Sequence, residues 1–400
     1  MGRGPLLPLA APPEPKPKAK PKSVKRRRRA RLVRPIEAVH RFWQRVSEGL
    51  EAQQLWEQFH SEAHASYELY RKEVDWAPRE KEWGFVRGLR LAKELFWAVL
   101  SKLSPARRVL LLLALGLSFF GALSVTVRDV SFSLDLRGIG FFLVLLLLGL
   151  ELADRVTMKR DLEIAREIQH WLVPESPPRV PGLDIAFTTR PANTVAGDYY
   201  DAFFRDPGEK RLLLAVADVA GKSVPAAILM ATFQAGLHSC AYDREGPLEV
   251  TERLNQLACA RSLEGRRFTT AFLAELDLDT LSLRYVNAGH NAPVVRRASG
   301  VWERLERGGL PLGIDPAALY ESGSARLAQG DLLFIFTDGL VEAMDTSNAE
   351  YGDSRMIEAL EALRGEGAAG TIRALIERVE RFAAGMRQYD DITCLALRVE

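Results

Sequence analysis

The sequence predicts an α+β domain in its C-terminal part, preceded by a helical region and by two apolar segments of membrane-spanning character. Three observations predict this organisation. After residue 178, short apolar runs separated by turns are mixed with helical stretches; nineteen uncharged residues occupy 109–127; and residues 1–35 are rich in proline, lysine and arginine. Strand and helix runs that lack strict βα alternation are typical of a layered α+β domain rather than a doubly wound sheet.

A formal net charge of +2 over 400 residues conceals a strong asymmetry. Residues 16–34 contain eleven Lys and Arg and no acid, which leaves −9 for the rest of the chain. We predict that residues 1–35 form a disordered basic tail, because they offer little apolar surface to offset the entropy of ordering. Such a tail is expected to contact anionic lipid, and it lacks the pattern of a specific nucleic-acid reader.

Residues 36–103 show apolar residues at helical spacing and are predicted to be a helical cytoplasmic region of unknown role. His60 and His64 are four residues apart, a spacing that a helical metal site would use. Because no third ligand accompanies them, we interpret them as structural or surface histidines.

Residues 107–153 are predicted to be a transmembrane hairpin. The first span is 109–127, and the second, less extensive, is about 138–153. Lys and Arg flank the outer ends of both spans, while the intervening loop of about ten residues has Arg128 and Arg137. Positive residues are retained on the cytoplasmic side, so we expect a multi-pass protein of the cell membrane with both termini in the cytoplasm.

Residues 154–174 are predicted to be a linker helix that ends before Pro174. Apolar residues recur at spacings of 4, 3, 3 and 4, the pattern of a short coiled coil: Met158, Leu162, Ala165, Ile168 and Leu172. Two heptads are marginal alone, so we expect a homodimer through this helix only where the membrane holds two copies together.

Residues 178–400 carry the candidate chemistry, because acids stand at the ends of apolar strands: Asp198, Asp218, Asp338, Asp390 and Asp391. Aspartate is disfavoured in strands and costly to bury unpaired. Any single one could be an ordinary turn residue. Together they suggest a cation site of oxygen ligands, which suits Mg²⁺ or Mn²⁺. Zinc is not favoured, since the cysteines Cys240, Cys259 and Cys394 are scattered without a CxxC pair.

Seven sequence blocks, in order, resemble those of one family. They are DLEIAREIQHWLVP, RPANTVAGDYYD, LLLAVADVAGKSVPAAILMA, NAGHNAP, GGLPLGI, GDLLFIFTDGLVEAMD and YDDITCLALRV. This chain is similar to the bacterial PPM-type, or protein phosphatase 2C-like, serine/threonine phosphatases of the SpoIIE and RsbU class over residues 157–400. The resemblance implies a four-layer αββα sandwich and an enzyme that hydrolyses phosphoserine or phosphothreonine.

The resemblance also implies the roles of particular residues. Asp198 and Asp218 would hold two Mn²⁺ or Mg²⁺ ions, with the backbone carbonyl of Val219 as a further ligand. Asp338 and Asp390 would complete the set of ligands of the second metal, and Asp391 is the adjacent alternative to Asp390. A water bridging the metals would attack phosphorus directly, because paired cations lower its pKa.

The chain departs from the family pattern at Ala196 and Ser223, where glycine is usual, and a modest cost is expected. For His290 in NAGHNAP, two interpretations remain open: a histidine bonded to its own turn, or a contact with phosphate or product.

The sequence therefore predicts a membrane-anchored, metal-dependent phosphatase. Its substrate would be a phosphorylated cytoplasmic regulatory protein, by resemblance an anti-anti-sigma or STAS-type protein. The alternative is a non-catalytic membrane scaffold that binds a partner through the same domain.

Overall fold

A computed structural model describes residues 84–127, 130–205, 208, 210–221, 224–241, 246–261, 267–386 and 388–400. The predicted basic tail, its lipid contact and most of the helical region at 36–103 lie outside these residues. The chain divides into two compact units, Met1–Leu147 and Leu148–Glu400.

The described part begins with two helices, a β-hairpin and a long helix: α1 (Gly84–Lys102), α2 (Pro105–Phe120), β1 (Ala122–Val127), β2 (Val130–Asp135) and α3 (Arg137–Leu172). The predicted span 109–127 is therefore helical only as far as Phe120. Helix α2 ends at Phe120 because Gly121 adopts a positive φ of 66°. The β-branched run that follows pairs with β2, from Ala122 opposite Asp135 to Val127 opposite Val130.

The connection between the two apolar helices is consequently sixteen residues, 121–136, rather than about ten. Helix α3 begins after Asp135, whose carboxylate accepts the Arg137 N–H at 3.0 Å. It is 36 residues long and includes both the predicted second span and the predicted linker. No break separates those two segments, because no proline or capping glycine interrupts the sequence between them. The helix ends at Leu172, two residues before Pro174, as expected from the proline.

The C-terminal unit contains the remaining elements: β3 (Leu183–Arg190), β4 (Tyr199–Phe204), β5 (Arg211–Val219), α4 (Val224–Ala241), α5 (Pro247–Arg261), β6 (Thr269–Asp277), β7 (Ser282–Ala288), β8 (Val294–Arg296), β9 (Trp302–Arg304), β10 (Gly308–Gly309), β11 (Gly323–Arg326), β12 (Leu332–Phe336), α6 (Asp338–Val341), α7 (Gly352–Ala362), α8 (Ala368–Ala383) and β13 (Ile392–Val399). The α+β class is confirmed.

Two sheets form the centre of this unit. The first has the order β10-β7-β6-β5-β4, with β11 also paired to β7, and the second has the order β3-β13-β12-β8-β9. Alternate residues of β5 face opposite sides. Leu212, Leu214 and Val216 pack in the core between the sheets, whereas the intervening residues pack beneath α4 and α5. Helices α7 and α8 cover the second sheet. Helix, sheet, sheet and helix thus form four layers.

By length and composition, a single helix among the described residues could cross a membrane. It is α4, with 33% of it buried inside the protein. Met230, Phe233 and Leu237 of α4 pack in the core beneath the first sheet. Helix α2 has sixteen residues, fewer than the roughly 20 that a span requires. The two predicted spans stay a prediction.

Candidate active site

The first sheet places two of the predicted acids at one end of adjacent strands. Asp198 directly precedes β4, and Asp218 is the next-to-last residue of β5. The strands are antiparallel, with Tyr199 opposite Ala217, so the start of β4 lies beside the end of β5. Antiparallel pairing therefore brings together two carboxylates that are twenty residues apart in sequence.

The second sheet brings together the three remaining acids, again by antiparallel pairing. Asp338 follows β12, and Asp390 and Asp391 precede β13, whose Cys394 pairs with Phe336. Gly339 permits this approach, because a Cβ at this position would lie 2.1 Å from the Asp391 carbonyl oxygen. Glycine at this position is therefore required for packing of the backbone at 390–391.

Hydrogen bonds join the two sheets at this point. The Thr337 hydroxyl donates to Asp198 Oδ2 at 2.9 Å, and Thr337 Oγ1 accepts the Thr393 N–H at 2.9 Å. Thr337 and Thr393 are both fully buried. The acids of the two sheets thus form one cluster at a shared edge of the sandwich.

Burial and mutual repulsion hold protons on this cluster. Burial, followed by the charge of Asp218, raises the pKa of Asp198 well above its usual value. Burial, then the charges of Asp338 and Asp390, raises the pKa of Asp218 to about 7. A divalent cation would relieve both the desolvation and the repulsion, so the donor set fits a hard cation.

Asp390 and Asp391 are distinguished by their hydrogen bonds. The two carboxylate oxygens of Asp391 accept the N–H groups of Ala192 and Gly197, at 2.7 and 2.6 Å. Asp391 therefore fastens the loop that leads to Asp198. Both charges act on Asp218, that of Asp390 more strongly than that of Asp391, which favours Asp390 as the ligand and Asp391 as a structural partner.

Within the described ranges, no group of three or more His, Cys, Asp or Glu side chains lies at distances that would hold a metal ion. The acids are neighbours whose charges interact, and their assignment as ligands remains a prediction. If metals bind, Asp198, Asp218, Asp338 and Asp390 are the side chains that would hold them.

The glycine-to-alanine departure is tolerated at Ala196, since this residue is absent from the positive-φ positions of the described chain. The neighbouring Gly197 is more constrained, because a Cβ on it would lie 3.2 Å from the Val219 carbonyl oxygen. That carbonyl, a predicted ligand, therefore faces the loop before Asp198. Ser223 lies outside the described residues.

His290 is buried, and its ring contacts a strand rather than its own turn. Nδ1 is 3.0 Å from the Thr270 hydroxyl, while the backbone N–H of His290 donates to Asn287 Oδ1 at 2.7 Å. Burial lowers the pKa of the imidazole to about 4. The turn contact is thus made by the backbone, and a neutral buried ring favours a structural role over phosphate contact.

Sequence patterns missed three residues of this region: Gln169, Thr337 and Thr393. The two threonines stand beside predicted acids, and a polar residue inside an otherwise apolar strand end is the signal that could have found them. Gln169 gives no such signal, because its partner is the backbone of a distant loop: Gln169 Nε2 donates to the Ala196 carbonyl, 27 residues away.

Comparison with known proteins shows which family and which fold this chain resembles. The sequence profile of the family described as "Stage II sporulation protein E (SpoIIE)" matches residues 208–400. The C-terminal part of the chain is thus similar to the SpoIIE family of PP2C-type phosphatase domains. The solved SiaA-PP2C domain of Pseudomonas aeruginosa has the same fold, with a TM-score of 0.55, 18% identity, and coverage of 62% of this chain and 99% of that domain.

Two curated relatives extend the similarity beyond the SpoIIE domain. Phosphoserine phosphatase RsbU of Bacillus subtilis is 27% identical over 242 residues, which are 60% of this chain and 70% of RsbU. Protein IcfG of Synechocystis is 27% identical over 277 residues, or 63% of this chain. The match spans only 43% of IcfG.

Proposed function

We propose that this protein is a membrane-anchored, metal-dependent serine/threonine phosphatase. The observation that carries the proposal is the convergence of acids from two sheets, where burial and repulsion raise the pKa of Asp198 and of Asp218. Perturbed carboxyl groups that gather at one edge of a fold are typical of functional sites. Similarity to the SpoIIE family over residues 208–400 supports phosphate-ester hydrolysis as the reaction.

Two divalent cations, Mn²⁺ or Mg²⁺, would supply Lewis acidity and an activated water for in-line displacement at phosphorus. The chain's part is to hold the oxygen ligands of both sheets in register. Thr337 orients Asp198 by hydrogen bonding to its carboxylate, and Asp391 fixes the preceding loop through two backbone N–H groups. Such supporting bonds determine how well ligands are positioned.

The proposed substrate is a phosphorylated cytoplasmic regulatory protein of the anti-anti-sigma or STAS type. Two relatives of this chain, RsbU and RsbP of Bacillus subtilis, are named phosphoserine phosphatases. Asp218, Asp338 and Asp390 are partly exposed, so a phosphorylated side chain of a protein could reach them. Comparison of phosphoproteins in cells with and without this chain would identify the substrate as the one whose phosphorylation rises.

Hydrolysis is tested with the full-length chain in detergent, a phosphoserine peptide and Mn²⁺. Asp218→Asn and Asp338→Asn should reduce the rate to background, because each removes a proposed ligand charge. A matched control is Asp353→Asn, which alters an acid of α7 that pairs with Arg304 instead. Full wild-type activity in EDTA would contradict the proposal, and metal binding without any hydrolysis would favour the scaffold.

Membrane anchoring is supported by the distribution of side chains on α2 and α3. Large apolar residues there are 43–86% exposed, namely Val109, Leu112, Leu113, Leu115, Phe119, Ile139, Phe141, Phe142, Leu145 and Leu146. The contact between these helices uses small residues instead. Ala114 is fully buried, and a Cβ on Gly140 would lie 2.8 Å from the Ala114 carbonyl oxygen. Small residues inside and large apolar residues outside are typical of helix pairs in lipid.

Anchoring predicts that the chain stays with membranes during alkaline carbonate extraction and is released by detergent. Release by carbonate alone would contradict it. Both termini should report a cytoplasmic location in reporter fusions. The basic tail at 1–35 should increase binding to vesicles as their anionic lipid content increases.

Dimerisation through α3 is a further part of the proposal. Met158 and Ile168 of the apolar seam are 61% and 48% exposed. Cysteines introduced along 158–172 should cross-link between copies at seam positions and not at positions on the opposite face. Cross-linking that is equal on both faces would contradict a defined pairing.

A further inference from the structure

One side chain joins the end of α3 to the loop that carries Asp198. Gln169 Nε2 donates to the Ala196 carbonyl at 2.6 Å, and Gln169 Oε1 accepts the Ala196 N–H at 3.0 Å. The primary amide thus satisfies both backbone groups of Ala196, as a neighbouring strand would. Ala196 is 6% exposed, so water has little access to replace these bonds. We call this pair of hydrogen bonds the Gln169 clamp.

The loop is also held from its other side. Gly197, the residue after the clamped one, donates its N–H to Asp391 Oδ2 at 2.6 Å. Asp198 comes next and accepts the Thr337 hydroxyl at 2.9 Å. Three consecutive residues are therefore held by three separate elements: α3, the start of β13 and the end of β12. If one of these attachments is removed, the backbone at 196–198 is held less firmly, and so is the carboxylate of Asp198.

The end of α3 is itself fixed near the clamp. Val173, four residues after Gln169, is partly buried and packs against both the core between the sheets and the core beneath α4. Trp171, between them, is 81% exposed. The end of α3 is thus attached to the domain by the Gln169 clamp and, just beyond Leu172, by the apolar contact of Val173. A movement of the helix would therefore act on Ala196 directly.

We propose that Gln169 is a positioning residue: its clamp on Ala196 holds Asp198 where it can bind a divalent cation, so the placement of α3 sets the cation affinity of the site. This inference rests on the proposed function for the identity of the bound group. Supporting residues of metal ligands commonly change affinity or activity by about 10- to 100-fold when they are lost.

The test uses the full-length chain in detergent and measures Mn²⁺ binding by calorimetry. Gln169→Leu should weaken binding by about 10- to 100-fold. The matched control is Glu167→Leu, which makes the same kind of change at an exposed position on the same helix and should stay within about twofold. Hydrogen exchange gives a second readout without metal. Exchange at the amides of 196 and 197 should accelerate in Gln169→Leu and not in the control.

The variant Gln169→Glu retains an acceptor for the Ala196 N–H but places a carboxylate against the Ala196 carbonyl. It should therefore also bind Mn²⁺ more weakly, and it replaces Gln169→Leu in the comparison if the latter does not fold. Faster exchange at 196 and 197 combined with wild-type Mn²⁺ affinity would overturn the inference. So would unchanged exchange in Gln169→Leu.

The two proposals fail in different ways. A wild-type chain that never hydrolyses a phosphoester, but whose Mn²⁺ affinity falls when Gln169 is replaced, would refute the phosphatase and support the clamp. An active phosphatase whose Mn²⁺ affinity is unchanged when Gln169 is replaced would refute the clamp alone. A wild-type chain that binds no Mn²⁺ would overturn both.

Discussion

Replacing Thr337 with valine removes the hydroxyl that joins the two sheets beside Asp198. The side chain is fully buried, and its Oγ1 makes two hydrogen bonds of 2.9 Å, one to Asp198 Oδ2 and one from the Thr393 N–H. Valine has nearly the same shape, so packing is largely kept. The Thr393 N–H, however, is left without this acceptor in the interior, and the Asp198 carboxylate loses a donor.

The magnitude follows from those two losses. An unpaired buried N–H costs about 1–3 kcal/mol, and a hydrogen bond between neutral groups, such as that to the protonated Asp198, contributes about 0.5–1.5 kcal/mol. Because the two bonds share one oxygen, we expect a combined loss of about 2–4 kcal/mol rather than the full sum. For a unit of this size, that corresponds to a melting temperature lower by roughly 5–15 °C. Loss of the donor also raises the pKa of Asp198 further, so Mn²⁺ affinity near neutral pH should fall.

The assay is thermal unfolding of the metal-free chain together with a Mn²⁺ titration. Thr337→Ser is the matched control, because serine keeps the hydroxyl and loses only a methyl group. We expect its melting temperature to lie much closer to that of the wild type. Equal melting temperatures and equal Mn²⁺ affinities for the valine and serine variants would refute the reasoning, since the hydroxyl would then contribute nothing.

Three further predictions concern the same cluster. Gly339→Ala should strongly destabilise the domain and abolish hydrolysis, because its Cβ would stand 2.1 Å from the Asp391 carbonyl oxygen; a normal melting curve would contradict this close approach. Asp390→Asn should weaken Mn²⁺ binding in calorimetry more than Asp391→Asn does, whereas Asp391→Asn should lower the melting temperature more. The reverse order would make Asp391 the ligand and Asp390 the structural partner. The pKa of Asp218 is raised to about 7, so its carboxyl contributes stability to the metal-free protein that is lost as pH rises from about 4 to about 7, while Mn²⁺ affinity should increase over that interval; the stability of the wild type relative to Asp218→Asn, measured by denaturant unfolding, should therefore fall over that interval, and a difference that does not change with pH would contradict the shift.

The strands and acids were predictable because they follow simple local rules. Apolar runs such as LLLAVADV and LLFIFTD have strand length and end at aspartate. In the structure, Asp218 and Asp338 occupy those ends. That these acids lie close together was harder to predict from the sequence, since it depends on two separate antiparallel pairings and on the packing of one sheet against the other. The family resemblance supplied that step.

The errors have equally local causes. The uncharged run at 109–127 reads as one long apolar segment, although Gly121 ends α2 and the following residues pair as β1 with β2. Hydropathy does not distinguish a buried or lipid-facing helix from a strand over so few residues. The choice between Asp390 and Asp391 needed hydrogen-bond partners, and the Gln169 clamp needed a contact between a helix and a loop that no periodic pattern encodes.

The place of β13 in the second sheet has a consequence for synthesis of the chain. It lies between β3 and β12, and its Val399 pairs with Leu183, roughly 200 residues earlier. At about 5–20 residues per second, β3 waits some 10–40 s on the ribosome for this neighbour. During that time its unpaired edge is a target for chaperones and for aggregation. Insertion of β13 also brings Asp391 to Ala192 and Gly197. Until β13 has been synthesised, the loop before Asp198 therefore lacks the hydrogen bonds that Asp391 supplies.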